Sequence, residues 1–157
     1  MSHSRGPLAI LNNRWPGDGE PTGMSLASPR DWALLAELTD ATGDLLYVKD
    51  RDLRYLLVNQ VFEQTFGLER RALLGNRDDS LLPPGAPWAD RERQVLASGQ
   101  RGQWEETLEL GGIKRQLLST RFPVQDGSGT LIGVACISHN ISSYKQVEQE
   151  LAASEAR

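Results

Sequence analysis

Arg54-Tyr55-Leu56-Leu57-Val58-Asn59-Gln60-Val61-Phe62-Glu63-Gln64-Thr65-Phe66-Gly67 is the stretch in which the chain changes its period. Up to Val58 the residues are β-branched, aromatic or aliphatic and read as a short strand. After Asn59 the apolar positions move to helical spacing: Phe62 and Phe66 lie four apart on one face, with Val61 beside them. Asn59 is a good N-cap, because its short side chain can accept from the free amides of the first turn. Gly67 supplies a left-handed stop. A strand that runs straight into a short helix fixes the direction in which the rest of the chain is laid down.

Upstream, Leu45-Leu46-Tyr47-Val48-Lys49 is a second strand, and Asp50-Arg51-Asp52-Leu53 is the turn that makes the pair a hairpin. Before it, Ser28, Pro29 and Asp31 form a helix start. Trp32, Leu35 and Leu38, widened by Leu34 and Ala41, give that helix an apolar stripe that ends at Gly43. This stripe is expected on the outer face of the sheet or on a second copy of the chain. Residues 1–27 lack periodicity and are rich in Gly, Pro, Ser and Asn, so they read as a flexible leader or linker.

Downstream, Glu69 to Leu74 is a short helical turn, and residues 76–87 are turn-rich around Pro83-Pro84-Gly85. Asp78 or Asp79 is expected to cap a turn at Ser80 to Leu82. Trp88 to Ser98 is a longer helix with Val95 on the face of Trp88. Three strands follow: Gln103 to Leu110, Ile113 to Phe122 after the two-residue loop Gly111-Gly112, and Thr130 to Ile141 after Asp126-Gly127-Ser128-Gly129. The last strand carries Leu131 to Ile137, an almost wholly apolar run that implies cover on both faces. From Ser142 the chain is helical and polar, except that Tyr144, Val147, Leu151 and Ser154 follow a coiled-coil spacing. The fold class is therefore α+β: a five-stranded antiparallel sheet, short helices on one face, and a flanking helix at each end. The domain organisation reads as a leader over 1–27, a domain with its N-terminal helix over 28–141, and an output helix over 142–157.

Composition narrows the function. The 157 residues carry a net charge of −4 without a basic cluster, which argues against a nucleic-acid surface. No apolar run reaches the roughly 18 residues of a membrane span, and the N-terminus does not read as a secretory signal, so a cytoplasmic location without direct membrane contact is expected. Cys136 is the one cysteine, and His3 and His139 are the two histidines. That leaves too few ligands for a zinc site, so no metal is expected. Glu105 and Glu106 are strand neighbours and point to opposite faces, so they cannot share a proton or a metal. No nucleophile, base and orienting group fall into an enzymatic pattern, and no catalytic residue is assigned.

Several short motifs, in order, resemble the PAS domains of bacterial signalling proteins. Tyr55-x-x-Val58-Asn59-x-x-Phe62-x-x-x-Phe66-Gly67 resembles the entry to the family's first core helix. Leu73-Leu74-Gly75-Asn76-Arg77-Asp78-Asp79 with Leu82-Pro83-Pro84, then Val95-Leu96-Ala97-Ser98-Gly99, resemble the loop and the end of the connecting helix. Glu105-Glu106 sits where one PAS branch often carries acids. Phe122-Pro123-Val124-Gln125-Asp126 and Gly129-x-x-x-Gly133 resemble the last turn, and His139-Asn140-Ile141-Ser142 stands at the family's Asp-Ile-Thr signature. The resemblance covers about Asp31 to Arg157.

The resemblance implies a pocket between the sheet and the short helices. Phe62, Phe66, Trp88, Trp104, Leu118, Thr120, Cys136 and Ser138 are the residues expected to line it; the plain alternative is that they only fill a core. It also implies a homodimer through the flanking helices, a small-molecule ligand, and a signal passed through Asn140, Ile141, Tyr144, Val147 and Leu151 to a downstream domain. That domain would be a histidine kinase of a two-component system, a diguanylate cyclase or phosphodiesterase, or another PAS domain. A ligand-free dimerisation scaffold is the alternative. The ligand or cofactor itself stays unknown. The long helix has no histidine to ligate haem, and the short helices have no cysteine for a covalent flavin adduct, so neither is expected. His139 is expected to make a surface or junction hydrogen bond, and Cys136 to be a small buried apolar residue. Asn140 departs from the family's aspartate: it can still cap the output helix but cannot pair with a base.

Overall fold

The computed structural model describes residues 24–25, 28–78 and 86–156. The leader expected over 1–27 lies mostly outside these residues, and so does the turn at Ser80 to Leu82. Met24–Ser25, which falls inside the expected leader, is instead a two-residue strand, β1, paired parallel to Val124 and Gln125.

Helix α1 spans Pro29–Thr42. Its start is a full capping box: the Ser28 hydroxyl accepts from the Asp31 amide at 3.3 Å, and the Asp31 carboxylate accepts from the Ser28 amide at 3.2 Å. Strands β2 (Leu45–Asp50) and β3 (Tyr55–Val58) form the expected hairpin. Helices α2 (Gln60–Phe66), α3 (Arg70–Leu73) and α4 (Trp88–Ser98) cross one face. Strands β4 (Gly102–Leu110), β5 (Ile113–Gln125) and β6 (Leu131–Asn140) complete the sheet, and α5 (Ser142–Glu155) leaves it.

Five strands are antiparallel in the order β3-β2-β6-β5-β4, with β1 against the far end of β5. The loop between β4 and β5 has φ of 57° and 77° at Gly111 and Gly112, the pair of positive values that a tight hairpin matching the sheet twist requires. Gly133 is needed for another reason. A Cβ there would sit 1.8 Å from the Lys49 carbonyl oxygen, so β6 can cross β2 closely only without a side chain.

Alternation sorts the strands into two faces. Leu45, Tyr47, Tyr55, Val58, Leu108, Leu117 and Cys136 face α2 to α4 and pack with Phe62, Leu73 and Trp88. Val48, Val124 and Ala135 face the other way and are covered by Trp32 and Leu35 of α1. Of the stripe expected on α1, Leu38 stays 57% exposed, so only part of it is used within the chain. The apolar β6 run is covered on both faces, as its composition requires.

Candidate functional site

The inward face of the sheet carries charge at its centre. Lys49 follows Tyr47 by two residues, so strand alternation sends both side chains into the core. Lys49 is wholly buried, and its Nζ meets Glu92 Oε1 of α4 at 2.7 Å. It also donates to Asp78, which accepts from the Tyr55 hydroxyl as well. The Lys49 ammonium lies 4.8 Å from the ring centres of both Tyr47 and Tyr55, close enough for the ring faces to help solvate it.

A second buried cation lies across the sheet on β5. Arg121 Nη1 donates to Glu106 Oε2 at 3.0 Å, and its Nε donates to the Tyr47 hydroxyl at 3.0 Å. Arg91 of α4 donates to the same Glu106 oxygen. The Arg121 guanidinium carbon lies 5.5 Å from the Trp88 ring centre and 5.4 Å from that of Trp104. Tyr47 links the two halves: its hydroxyl accepts from Arg121 and lies beside the Glu92 carboxylate.

Burial acts on each of these groups. It raises the Glu92 carboxyl above its ordinary value, against the pull of Lys49 and the Tyr47 hydroxyl. It lifts the Tyr47 phenol well above its usual range, and for Tyr55 the nearby Asp78 adds to the effect. Burial works against the Arg121 charge; Tyr47, Cys136 and Glu106 outweigh it, so the guanidinium is held above the ordinary arginine value. The Cys136 thiol is raised by burial as well.

Three atoms of this network have no hydrogen-bond partner although fully shielded: Glu92 Oε2, Glu106 Oε1 and Arg121 Nη2. Unpartnered buried polar atoms are rare in folded proteins because each forfeits its hydration without return.

The structure brings together six of the eight pocket residues expected from sequence. Phe62, Trp88, Cys136 and Ser138 are buried on the inward face, and Phe66 and the half-buried Trp104 pack at its edge. Phe62 and Phe66 stack with ring centres 4.5 Å apart. Ser138 shares a 2.7 Å hydrogen bond with Ser119, which settles the fate of its hydroxyl inside the core. Leu118 and Thr120 need correction. They alternate with Leu117, Ser119 and Arg121 and so lie on the face of α1, where the Thr120 hydroxyl accepts from Gln103. The inward residues of β5 are their neighbours. Lys49, Arg121, Glu92 and Tyr47 were not singled out from the sequence as site residues, and Tyr55, Asp78 and Glu106 were read there only as parts of motifs, a cap or a pair of strand neighbours. The signal that could have found them is a charge at an inward parity: Lys49 two after Tyr47, and Glu106 two before Leu108.

At the other end of β6 the output helix is held at its root. The Asn140 carboxamide oxygen accepts from the Ser142 amide at 3.0 Å, a turn just ahead of the helix; the N-cap position itself is Ile141 and has no side-chain cap, so Asn140 is not the cap expected from the sequence. The Ile141 amide donates to the Gln116 carbonyl at 2.8 Å, and the Gln116 amide donates to the Ser142 hydroxyl at 3.0 Å. Lys145 Nζ reaches Glu105 Oε2 of β4 at 3.0 Å, with Glu148 at 3.4 Å. His139 Nδ1 lies 2.6 Å from Asp44 Oδ1, the junction contact expected of it. Beyond this root Tyr144, Val147 and Leu151 are 66%, 62% and 58% exposed. Among the described residues no helix is long and apolar enough to cross a membrane, and no group of side chains could hold a metal ion.

Comparison with known proteins agrees with this architecture. A family model described as the PAS fold matches residues 39–146. The methanogenesis regulatory histidine kinase FilI of Methanothrix harundinacea is 28% identical over 116 residues, which is 73% of this chain but 13% of that protein. The PAS domain of Bordetella pertussis BvgS has a TM-score of 0.52 at 21% identity, covering 80% of this chain and 97% of that one. Vibrio cholerae VqmA has a TM-score of 0.62 at 17% identity, covering 76% of this chain and 53% of that one. The inward-facing core, the strand order and the family match over most of its length lead to one statement: this chain belongs to the PAS-fold family.

Proposed function

We propose that the chain is the sensing segment of a longer signalling protein, of the histidine kinase or the diguanylate cyclase and phosphodiesterase type. It would detect a small molecule between the sheet and helices α2 to α4, and pass the change through β6 into α5 of a parallel homodimer. The observation that carries this reading is the α5 junction. Its root is hydrogen-bonded to β5 and ion-paired to β4, while its apolar stripe finds no partner within the described chain. A stripe at coiled-coil spacing on a helix too short to be stable alone calls for a second helix. The similarity to a histidine kinase supports the same direction, with catalysis residing in a domain outside this chain. Helix α1, with Leu34 and Leu38 exposed, would extend the same interface. The absence of a transmembrane helix among the described residues fits a cytoplasmic placement of this segment.

The test is sedimentation equilibrium on the 157-residue chain and on its Leu151→Glu variant. A concentration-dependent dimer that Leu151→Glu disperses, with an unchanged circular dichroism spectrum of the sheet, is the expected result. A monomer at all concentrations removes the homodimer reading. The dense pairing of charges in the core favours one second reading, a ligand-free dimerisation scaffold; it predicts the same dimer and no small-molecule binding at all.

A further inference from the structure

One row of side chains on the outer face of the sheet ends at the root of α5. His139 alternates with the buried Ser138, so it lies on the face of α1 rather than in the core. Leu118 of β5 pairs with His139 on one side and with Glu105 of β4 on the other. Leu45 pairs with Ser138, so the antiparallel register sets Asp44 next to His139. The row is therefore Asp44, His139, Leu118, Glu105, and an ion pair stands on each side of the uncharged leucine. His139 Nδ1 meets Asp44 Oδ1 at 2.6 Å, and Lys145 of α5 meets Glu105 Oε2 at 3.0 Å. His139 stands two residues before Ile141, whose amide ties the start of α5 to the Gln116 carbonyl.

Asp44 is fixed from the opposite flank. Its amide donates to the Thr39 carbonyl at 3.0 Å, and its Oδ2 accepts from the Thr42 hydroxyl at 3.0 Å, both at the end of α1. Its carbonyl accepts from the Asn59 carboxamide at 2.7 Å, and Asn59 caps α2. The His139–Asp44 contact thus joins the end of α1 and the start of α2 to the strand that leads into α5. Of the two pairs in the row, this one alone depends on a proton near neutrality: histidine ordinarily changes charge between about pH 5 and 8, where lysine and glutamate keep theirs.

An ionised carboxylate only accepts, so a neutral imidazole reaches Asp44 through Nδ1–H and takes its next proton on Nε2. More than half of the His139 side chain is open to water, which gives that proton access. Protonation turns a neutral hydrogen bond into a charge-assisted one. The groups around it do not take over this role. Gln116, Leu118 and Thr120 on the same face of β5 carry no charge, Asp40 of α1 accepts from the Val61 amide, and Lys145 of α5 is paired with Glu105 and Glu148.

We infer that the His139–Asp44 pair is a proton-dependent tie between α1 and the root of α5, closed more tightly at mildly acidic pH. That acidity thereby becomes an input to the output helix rests on the output reading above. An exposed pair contributes little, so the tie strengthens by about two- to fivefold on protonation.

The test follows the 157-residue chain by NMR between about pH 5.5 and 7.5, above the carboxylate range. The readouts are the His139 ring titration and the protection of the Ile141 and Lys145 amides against hydrogen exchange, corrected for the intrinsic pH dependence of exchange. Asp44→Asn keeps the acceptor oxygen and removes the charge; His139→Gln removes the titration. In the wild type, protection should rise about two- to fivefold as pH falls, with the midpoint of the His139 ring, and it should be flat in both variants. A rise of the same size in Asp44→Asn or in His139→Gln overturns the tie. A wild type that dimerises yet shows flat protection also overturns it and leaves the output reading in place. A monomer that shows the rise bears out the tie and removes the output reading.

Discussion

Lys49 of β2 and Glu92 of α4 lie 43 residues apart in sequence and meet at 2.7 Å, with both side chains shut off from solvent. This pair ties the sheet to the helix that crosses it. A buried ion pair is a poor source of net stability, because dehydrating both charges offsets most of their attraction. It is a strict constraint nonetheless, since either charge alone is far worse. Lys49→Met should therefore lower stability by about 3–5 kcal/mol, whereas Lys49→Met with Glu92→Leu should regain most of it. A denaturant double-mutant cycle reads the coupling; a double-variant loss equal to the sum of the two single losses would show that the two charges are not coupled.

The pH dependence of Glu92 has a definite sign. Burial raises its folded-state pKa above the ordinary 4.5, so in the window between the two values the folded protein holds more protons than the unfolded chain. The contribution of this group to stability then falls as pH rises through that window, and is regained as pH drops. Stability of the wild type relative to Glu92→Gln, measured from roughly pH 4 to 8 by urea unfolding, should shift in favour of the wild type at the acid end. A gap that grows toward alkaline pH would contradict the assignment.

Cys136 is fully buried on β6, and burial raises its thiol pKa, so the reactive thiolate is scarce as well as shielded. A thiol reagent such as dithionitrobenzoate should leave the native protein unlabelled and react with one equivalent after denaturation. Fast labelling of the folded protein would mean that β6 opens locally.

The Asn140 turn ahead of α5 separates charge from hydrogen bonding. Asn140→Ala removes the acceptor for the Ser142 amide and should cost about 0.5–1.5 kcal/mol, the net worth of one hydrogen bond, felt as faster hydrogen exchange over the first turn of the helix. Asn140→Asp keeps the acceptor and adds a favourable charge at a helix start, so exchange there should be as slow or slower. Equal acceleration in both variants would mean that the Asn140 hydrogen bond does not hold the start of the helix.

The sequence by itself determined the elements and their order. Ser28, Asn59, Gly43, Gly67, Gly99 and Gly111-Gly112 act on neighbours a few residues away, so their meaning is local and survives without the fold. Phe62, Trp88 and Cys136 were recognisable as core residues because hydrophobic burial has no direction and needs only the right period. Leu118 and Thr120 were placed on the wrong face because strand alternation has a period of two, and the register of β5 is set by its pairing with β4 and β6 rather than by its own residues. Only the tertiary structure could reveal Lys49, Arg121, Glu92 and Glu106 as one buried network. A charge is solvated by default, and what makes it tolerable in a core is a partner brought from another strand or helix tens of residues away.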